Sequence, residues 1–158
     1  MLQEIISEKN LVWNKHTINI TENFSVKISD NVINELKNNR NLIKNSEEIF
    51  TILQQEILDF KKKFLVEGIG FFVIDGKCFS DFSREETIEI YSKISQALGT
   101  LYVQNIKNES FVAIKDEGKS MMSGGRYHQT KEGGSFHTDS PQWKKVPDFI
   151  GMCCINPA

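Results

Sequence analysis

Near its C-terminal end the chain carries Gly133-Gly134-Ser135-Phe136-His137-Thr138-Asp139-Ser140-Pro141, with an imidazole and a carboxylate separated by one residue. Residues two apart on an extended segment leave the backbone on the same side. One short strand can therefore aim His137 and Asp139 at a single cation, while Thr138 faces the other way. An imidazole nitrogen and a carboxylate oxygen are two of the three donors of the 2-His-1-carboxylate facial triad, which leaves open positions on non-haem Fe(II). The alternative for the same residues is a surface turn in which the Asp139 carboxylate caps the backbone around Pro141.

Two other histidines bear on a third donor. His128, in Tyr127-His128-Gln129, lies nine positions before His137 in a polar loop. We take it as a loop residue at the mouth of a substrate pocket rather than as a third ligand. His16, between Lys15 and Thr17, reads as an exposed side chain. Trp143 stands just past the pair, and either walls a pocket or packs on the surface.

The chain of 158 residues is of one-domain length and long enough to bury a core. Its hydrophobic fraction of 39% and charged fraction of 25% suit a globular protein in water. A formal net charge of -2 points to neither nucleic acid nor an anionic membrane as partner. Met1 to Glu8 lacks a basic segment followed by a long apolar run, so it does not read as a secretory signal. The most apolar run, Ile69 to Ile74, is too short to span a bilayer. Cys78, Cys153 and Cys154 make no disulfide framework, and with no Cys-x-x-Cys spacing they suggest no zinc site. Cys153 and Cys154 are adjacent, so on a strand they face opposite ways. All three read as reduced thiols of a cytoplasmic protein.

The elements that must position the pair follow from hydrophobic spacing. Residues 1–66 read mainly helical, and residues 67–158 read as strands plus one helix. Ser29-Asp30 can cap a helix bearing Val32, Ile33, Leu36 and Ile43. A second helix is expected to start near Asn45-Ser46. Glu47 and Glu48 sit in its first turn, and Ile49, Phe50, Leu53, Ile57, Phe60 and Phe64 form its apolar stripe. Gly68-Ile69-Gly70 breaks the pattern, and Phe71-Phe72-Val73-Ile74 reads as a short, fully buried strand ending at an Asp75-Gly76 turn. Ser83 and Glu86, three apart, form a capping box. The helix it opens buries Ile90, Tyr91, Ile94 and Leu98 and stops at Gly99. Leu101 to Val103, Phe111 to Ile114, Phe136 to Asp139 and Phe149 to Ile155 then read as strands, with a long polar loop from Asp116 to Glu132 of the kind that is functional or disordered. Helices first and strands later predict an α+β protein with helices on one side of an antiparallel sheet.

Gly70-Phe71-Phe72-Val73-Ile74-Asp75-Gly76, the capped helix ending Ala97-Leu98-Gly99, Val103-Gln104-Asn105 and His137-Thr138-Asp139 together resemble the N-terminal half of a TauD/TfdA-type, clavaminate synthase-like dioxygenase. The likeness runs over roughly Glu67 to Ala158. It implies a double-stranded β-helix (a jelly roll), incomplete in these residues, with N-terminal helices packed on one side. It implies an oxygenase dependent on Fe(II) and 2-oxoglutarate, with His137 and Asp139 as metal ligands. The carboxylate at Asp139, where Gly or Ala would open a site for a halide, implies hydroxylation rather than halogenation.

The resemblance places a distal histidine and a 2-oxoglutarate-clamping arginine beyond Ala158. Arg126 precedes the pair and does not take that role; it reads as a solvated loop residue or a substrate contact. Gln104 falls where several members set a polar side chain over the substrate, which makes it a candidate substrate-binding residue beside His128. The alternative is a strand-end glutamine bonded to backbone, and Asn105 then points the other way. The expected substrate is a small polar, amino-acid-like metabolite. The competing expectation is a catalytically inactive half-barrel that serves as a binding or oligomerisation module. Its exposed strand edges, Phe149 to Ile155 above all, would pair with another chain or with a second copy.

Overall fold

The computed structural model describes residues 12–14, 16, 18, 24–105, 107–125, 129–131, 137 and 144–156. The chain divides into two compact units, Met1–Gly99 with Gly151–Ala158, and Thr100–Ile150. Composition shifts near residue 67, but the structural division falls after the last helix.

In the first unit the order is β1 (Ser25–Val26), α1 (Asp30–Asn38), α2 (Thr51–Phe60), β2 (Val73–Ile74) and α3 (Arg84–Leu98). Short 3-10 turns cover Arg40–Leu42, Glu48–Phe50 and Gly76–Phe79, and a π-helical segment, Lys61–Val66, prolongs α2. The Ser29 hydroxyl accepts from the Val32 amide and caps α1, as its sequence predicts. Glu56 of α2 then accepts both the Ser29 amide, at 2.8 Å, and the Ser29 hydroxyl, at 2.7 Å. A helix distant in sequence thus fixes where α1 begins.

The apolar stripes meet as the spacing implies. Val32, Ile33 and Leu36 of α1, Ile43 after it, Ile49, Phe50, Leu53 and Ile57 around α2, and Ile90 and Ile94 of α3 form one buried cluster with Ile28 and Phe82. Each such side chain withdrawn from water stabilises the fold by about 1.5–3 kcal/mol before its ordering cost is counted. The second helix opens later than expected. Glu48–Phe50 is a 3-10 turn, α2 proper begins at Thr51, and neither start has a side-chain cap.

α3 carries the predicted capping box. Ser83 Oγ accepts from the Glu86 amide at 3.2 Å, and the Glu86 carboxylate accepts from the Ser83 amide at 2.6 Å. The same carboxylate takes two bonds from Arg40, at 2.5 and 2.6 Å. Gly99 closes the helix through its amide to Ser95 O, at 3.2 Å. Gly99 is thus the stop its sequence predicts, with a φ of 165° that is extended backbone. Lys61 also reaches across and donates to the Leu98 carbonyl at 2.7 Å, supplying a cation where the dipole is negative.

β2 departs from its expectation of a fully buried strand. It is two residues long and pairs in parallel with β1, Ser25 opposite Val73 and Val26 opposite Ile74. Val73 is 51% exposed. The reason is topological: among the described residues the ladder has two strands, and β2 is an edge of it. Asp75-Gly76 does not make a hairpin turn. The Asp75 carboxylate accepts from the Lys77 amide at 3.0 Å and starts the 3-10 turn that leads toward α3.

In the second unit, Thr100–Ile150, no strand occurs among the described residues. Leu101 to Val103, Phe111 to Ile114 and Phe149 to Ile155, expected as strands, do not take up strand structure. The expected antiparallel sheet has no counterpart among the described residues, where the single ladder is parallel. Side chains compete for the backbone instead. Asn105 Oδ1 accepts from the amides of Lys107 and Glu109, and Asp116 Oδ1 accepts from that of Gly118. Phe136, Thr138 and Asp139 lie outside the described residues, so the extended segment expected there does too. No helix among the described residues is long and apolar enough to cross a membrane.

Candidate functional site

Of the four residues singled out for metal or substrate, Gln104 and His137 are described; His128 and Asp139 lie outside the described residues, as do Arg126 and Trp143. His137 is exposed. Among the described residues no three His, Cys, Asp or Glu side chains converge as a cation site. The described part of the pair is thus His137 alone.

Gln104 is exposed and opens a tight turn. Its amide donates to Glu109 O at 2.7 Å, and Asn108 takes the left-handed region with φ 61°. Asn105 fills the turn. Its side-chain amide donates to Glu109 Oε2 at 2.5 Å, while its own carbonyl oxygen accepts from two backbone amides. The Gln104 backbone is thus tied into this turn, and Asn105 is engaged in holding it.

The polar loop after Asp116 is bonded to itself. The Glu117 amide donates to Gln129 O at 2.9 Å, and the Glu117 carboxylate accepts from Lys119 at 2.7 Å and from the Gln129 side chain at 3.0 Å. The Lys119 ammonium, first, holds the Glu117 carboxyl below its ordinary range. Ser120 and Ser123 form a reciprocal box around the 3-10 turn Met121–Ser123. Gly124 follows at φ 84°, a conformation that costs glycine little. At Gly125 a Cβ would stand 2.8 Å from Ser120 O and 3.1 Å from Thr130 Cγ2, so only glycine fits under Thr130.

One cluster of reactive side chains lies elsewhere. Gly151 rests on the hydroxyl of Tyr91, which a Cβ would approach to 2.7 Å. Partial burial raises the Tyr91 phenol above its ordinary value, with a smaller contribution from Cys153. Cys153 and Cys154 follow two and three positions later, both free and exposed. Partial burial also raises the Cys153 thiol, and Cys154 adds to it. Cys78 is different: half-buried, it donates to Asp75 O at 3.1 Å. Sequence reading recognised the adjacent thiols but had no signal for Tyr91 beneath them, because that approach depends on how the segment crosses α3.

Compared with family models, with curated proteins and with solved structures, the chain finds no match.

Proposed function

We propose that this chain supplies the first two metal ligands, His137 and Asp139, of a non-haem Fe(II)/2-oxoglutarate-dependent oxygenase of hydroxylase type. The proposed substrate is a small polar, amino-acid-like metabolite, and the proposed compartment is the cytoplasm. The observation that carries the reading is the His-x-Asp spacing behind Gly133-Gly134, preceded in order by a Phe-rich segment, an Asp-Gly pair and a capped helix ending at Leu98-Gly99. The order of β2, the Asp75-anchored turn and α3 supports it, as does the exposure of His137.

In this reading neutral His137 gives one ring nitrogen to the metal, and its other nitrogen needs an acceptor to hold the ring in register. Asp139 supplies the anionic donor, and bound Fe(II) with 2-oxoglutarate would supply the oxidising chemistry. One further donor, and a cation to clamp the distal carboxylate of 2-oxoglutarate, must complete the arrangement. Gln104 and His128 are proposed to face the substrate.

The test is anaerobic addition of Fe(II) and 2-oxoglutarate, read as a weak visible charge-transfer band from the completed site. His137→Ala and Asp139→Ala are each expected to abolish it. A band that survives His137→Ala would remove the ligand assignment.

A second reading is a binding or oligomerisation module, favoured by Ile150 and Met152, which are 63% and 78% exposed. Sedimentation that shows a concentration-dependent oligomer would favour it, and a monodisperse monomer would count against it.

A further inference from the structure

We propose that Cys153 and Cys154 form a surface dithiol site that chelates a monosubstituted trivalent arsenical, a thiophilic centre with two exchangeable positions. The inference stands apart from the oxygenase reading. It rests on two adjacent free thiols, both exposed, on a segment that packs through Gly151 onto the Tyr91 hydroxyl of α3.

Adjacency decides which chemistry this pair can do. Consecutive Cα atoms stand about 3.8 Å apart across a trans peptide. A disulfide wants a Cα separation of about 4.4–6.8 Å and stores strain outside that window. The two sulfurs therefore resist direct bonding to each other, and the pair stays a dithiol. A bridging arsenic adds one atom to the ring and a second bond to sulfur, which relieves the constraint. On extended backbone the two side chains start on opposite sides. Chelation must turn both toward one side. Neither helix nor strand covers 151–154, so no backbone ladder of that kind opposes the turn.

The reaction balances without an oxidant. An organoarsenic(III) oxide condenses with the two thiols, forming two As–S bonds, breaking the As–O bond and releasing one water that carries both thiol protons. Neutral thiols are the reactants. Cys78 cannot substitute, since it has no adjacent cysteine and its sulfur is bonded to Asp75 O.

The experiment adds equimolar phenylarsine oxide to the reduced chain, challenges with excess 2-mercaptoethanol, and reads intact mass. The expected result is one adduct per chain that survives the monothiol and is stripped by 1,2-ethanedithiol. Cys78→Ser should retain it, whereas Cys153→Ser and Cys154→Ser should each lose monothiol resistance entirely. A wild-type chain with no resistant adduct, a resistant adduct on either Cys153→Ser or Cys154→Ser, or its loss in Cys78→Ser would each overturn the proposal.

Discussion

Between Phe24 and Ile94 apolar side chains build a buried core; between Thr100 and Asn156 no described large apolar side chain is buried. Every buried large apolar residue described lies in the first stretch. In the second, the buried residues among those described are Gly125 and Thr130, while Val103, Ile114, Val146, Phe149 and Ile150 are exposed. The difference is one of spacing. Helical stripes in the first stretch put several apolar groups on one face of one element, so a few contacts order many residues. In the second, short apolar runs are separated by stretches rich in Asn, Asp, Ser and Gly, whose side chains or backbone freedom satisfy the chain locally.

The sharpest way to break this contrast is a pair of truncations. Phe50→Ala, at a ring with no exposed surface, is expected to cost about 3–5 kcal/mol in urea unfolding. Phe149→Ala should cost under about 0.5 kcal/mol. Equal costs would mean that the second stretch hides a core of its own.

Next in size is Gly68→Ala. A Cβ there would collide with the Lys63 carbonyl oxygen and sit 3.0 Å from Phe64 Cα, both backbone that cannot swing away. We expect a loss of about 1–3 kcal/mol in the same measurement. A neutral result would show that the turn after the π-helical segment is looser than its contacts imply.

Ser83→Ala removes the cap of α3 and should cost about 1 kcal/mol. Combining it with Glu86→Gln should cost less than the sum of the two, because both act on one box. Strict additivity would mean that Glu86 serves Arg40 alone.

The subtlest effect is in acid. Arg40 first, then the Ser83 amide, hold the Glu86 carboxyl down at about 2 from its ordinary 4.5. A lowered folded value means that its stabilisation is fully present above 4.5 and is lost as pH falls toward 2. Stability measured through that window should decline less in Glu86→Gln than in the unaltered chain. Parallel curves would locate the acid sensitivity elsewhere.

How much of this was legible in the chain follows from which forces are local. The caps at Ser29 and Ser83, and the stripe from Ile49 to Ile57, depend on residues a few positions apart, and the structure has them where the spacing puts them. The Glu56 bonds to Ser29, the Arg40 fork on Glu86 and the Lys93 bond to Glu47 join positions far apart in sequence that no local pattern announces. The strand expectations after Leu101 rested on short apolar runs. Such runs fix a strand only when a partner ladder competes successfully with Asn105 and Asp116 for the backbone. Of the candidate site, the exposure of His137 and the turn behind Gln104 are on view, and the pairing with Asp139 is a matter for the iron titration.

Trp13 lies far in sequence from the segment it touches. Its indole N–H donates to Ile69 O at 3.1 Å, and its ring meets Phe71 edge-on at 5.1 Å between centroids. Such an indole is an optical gauge of whether the strand-bearing side of the first unit is intact. With Trp143 replaced by Phe, emission would come from this ring alone, and a red shift on mild denaturation would mark release of the N-terminal segment before the helices melt.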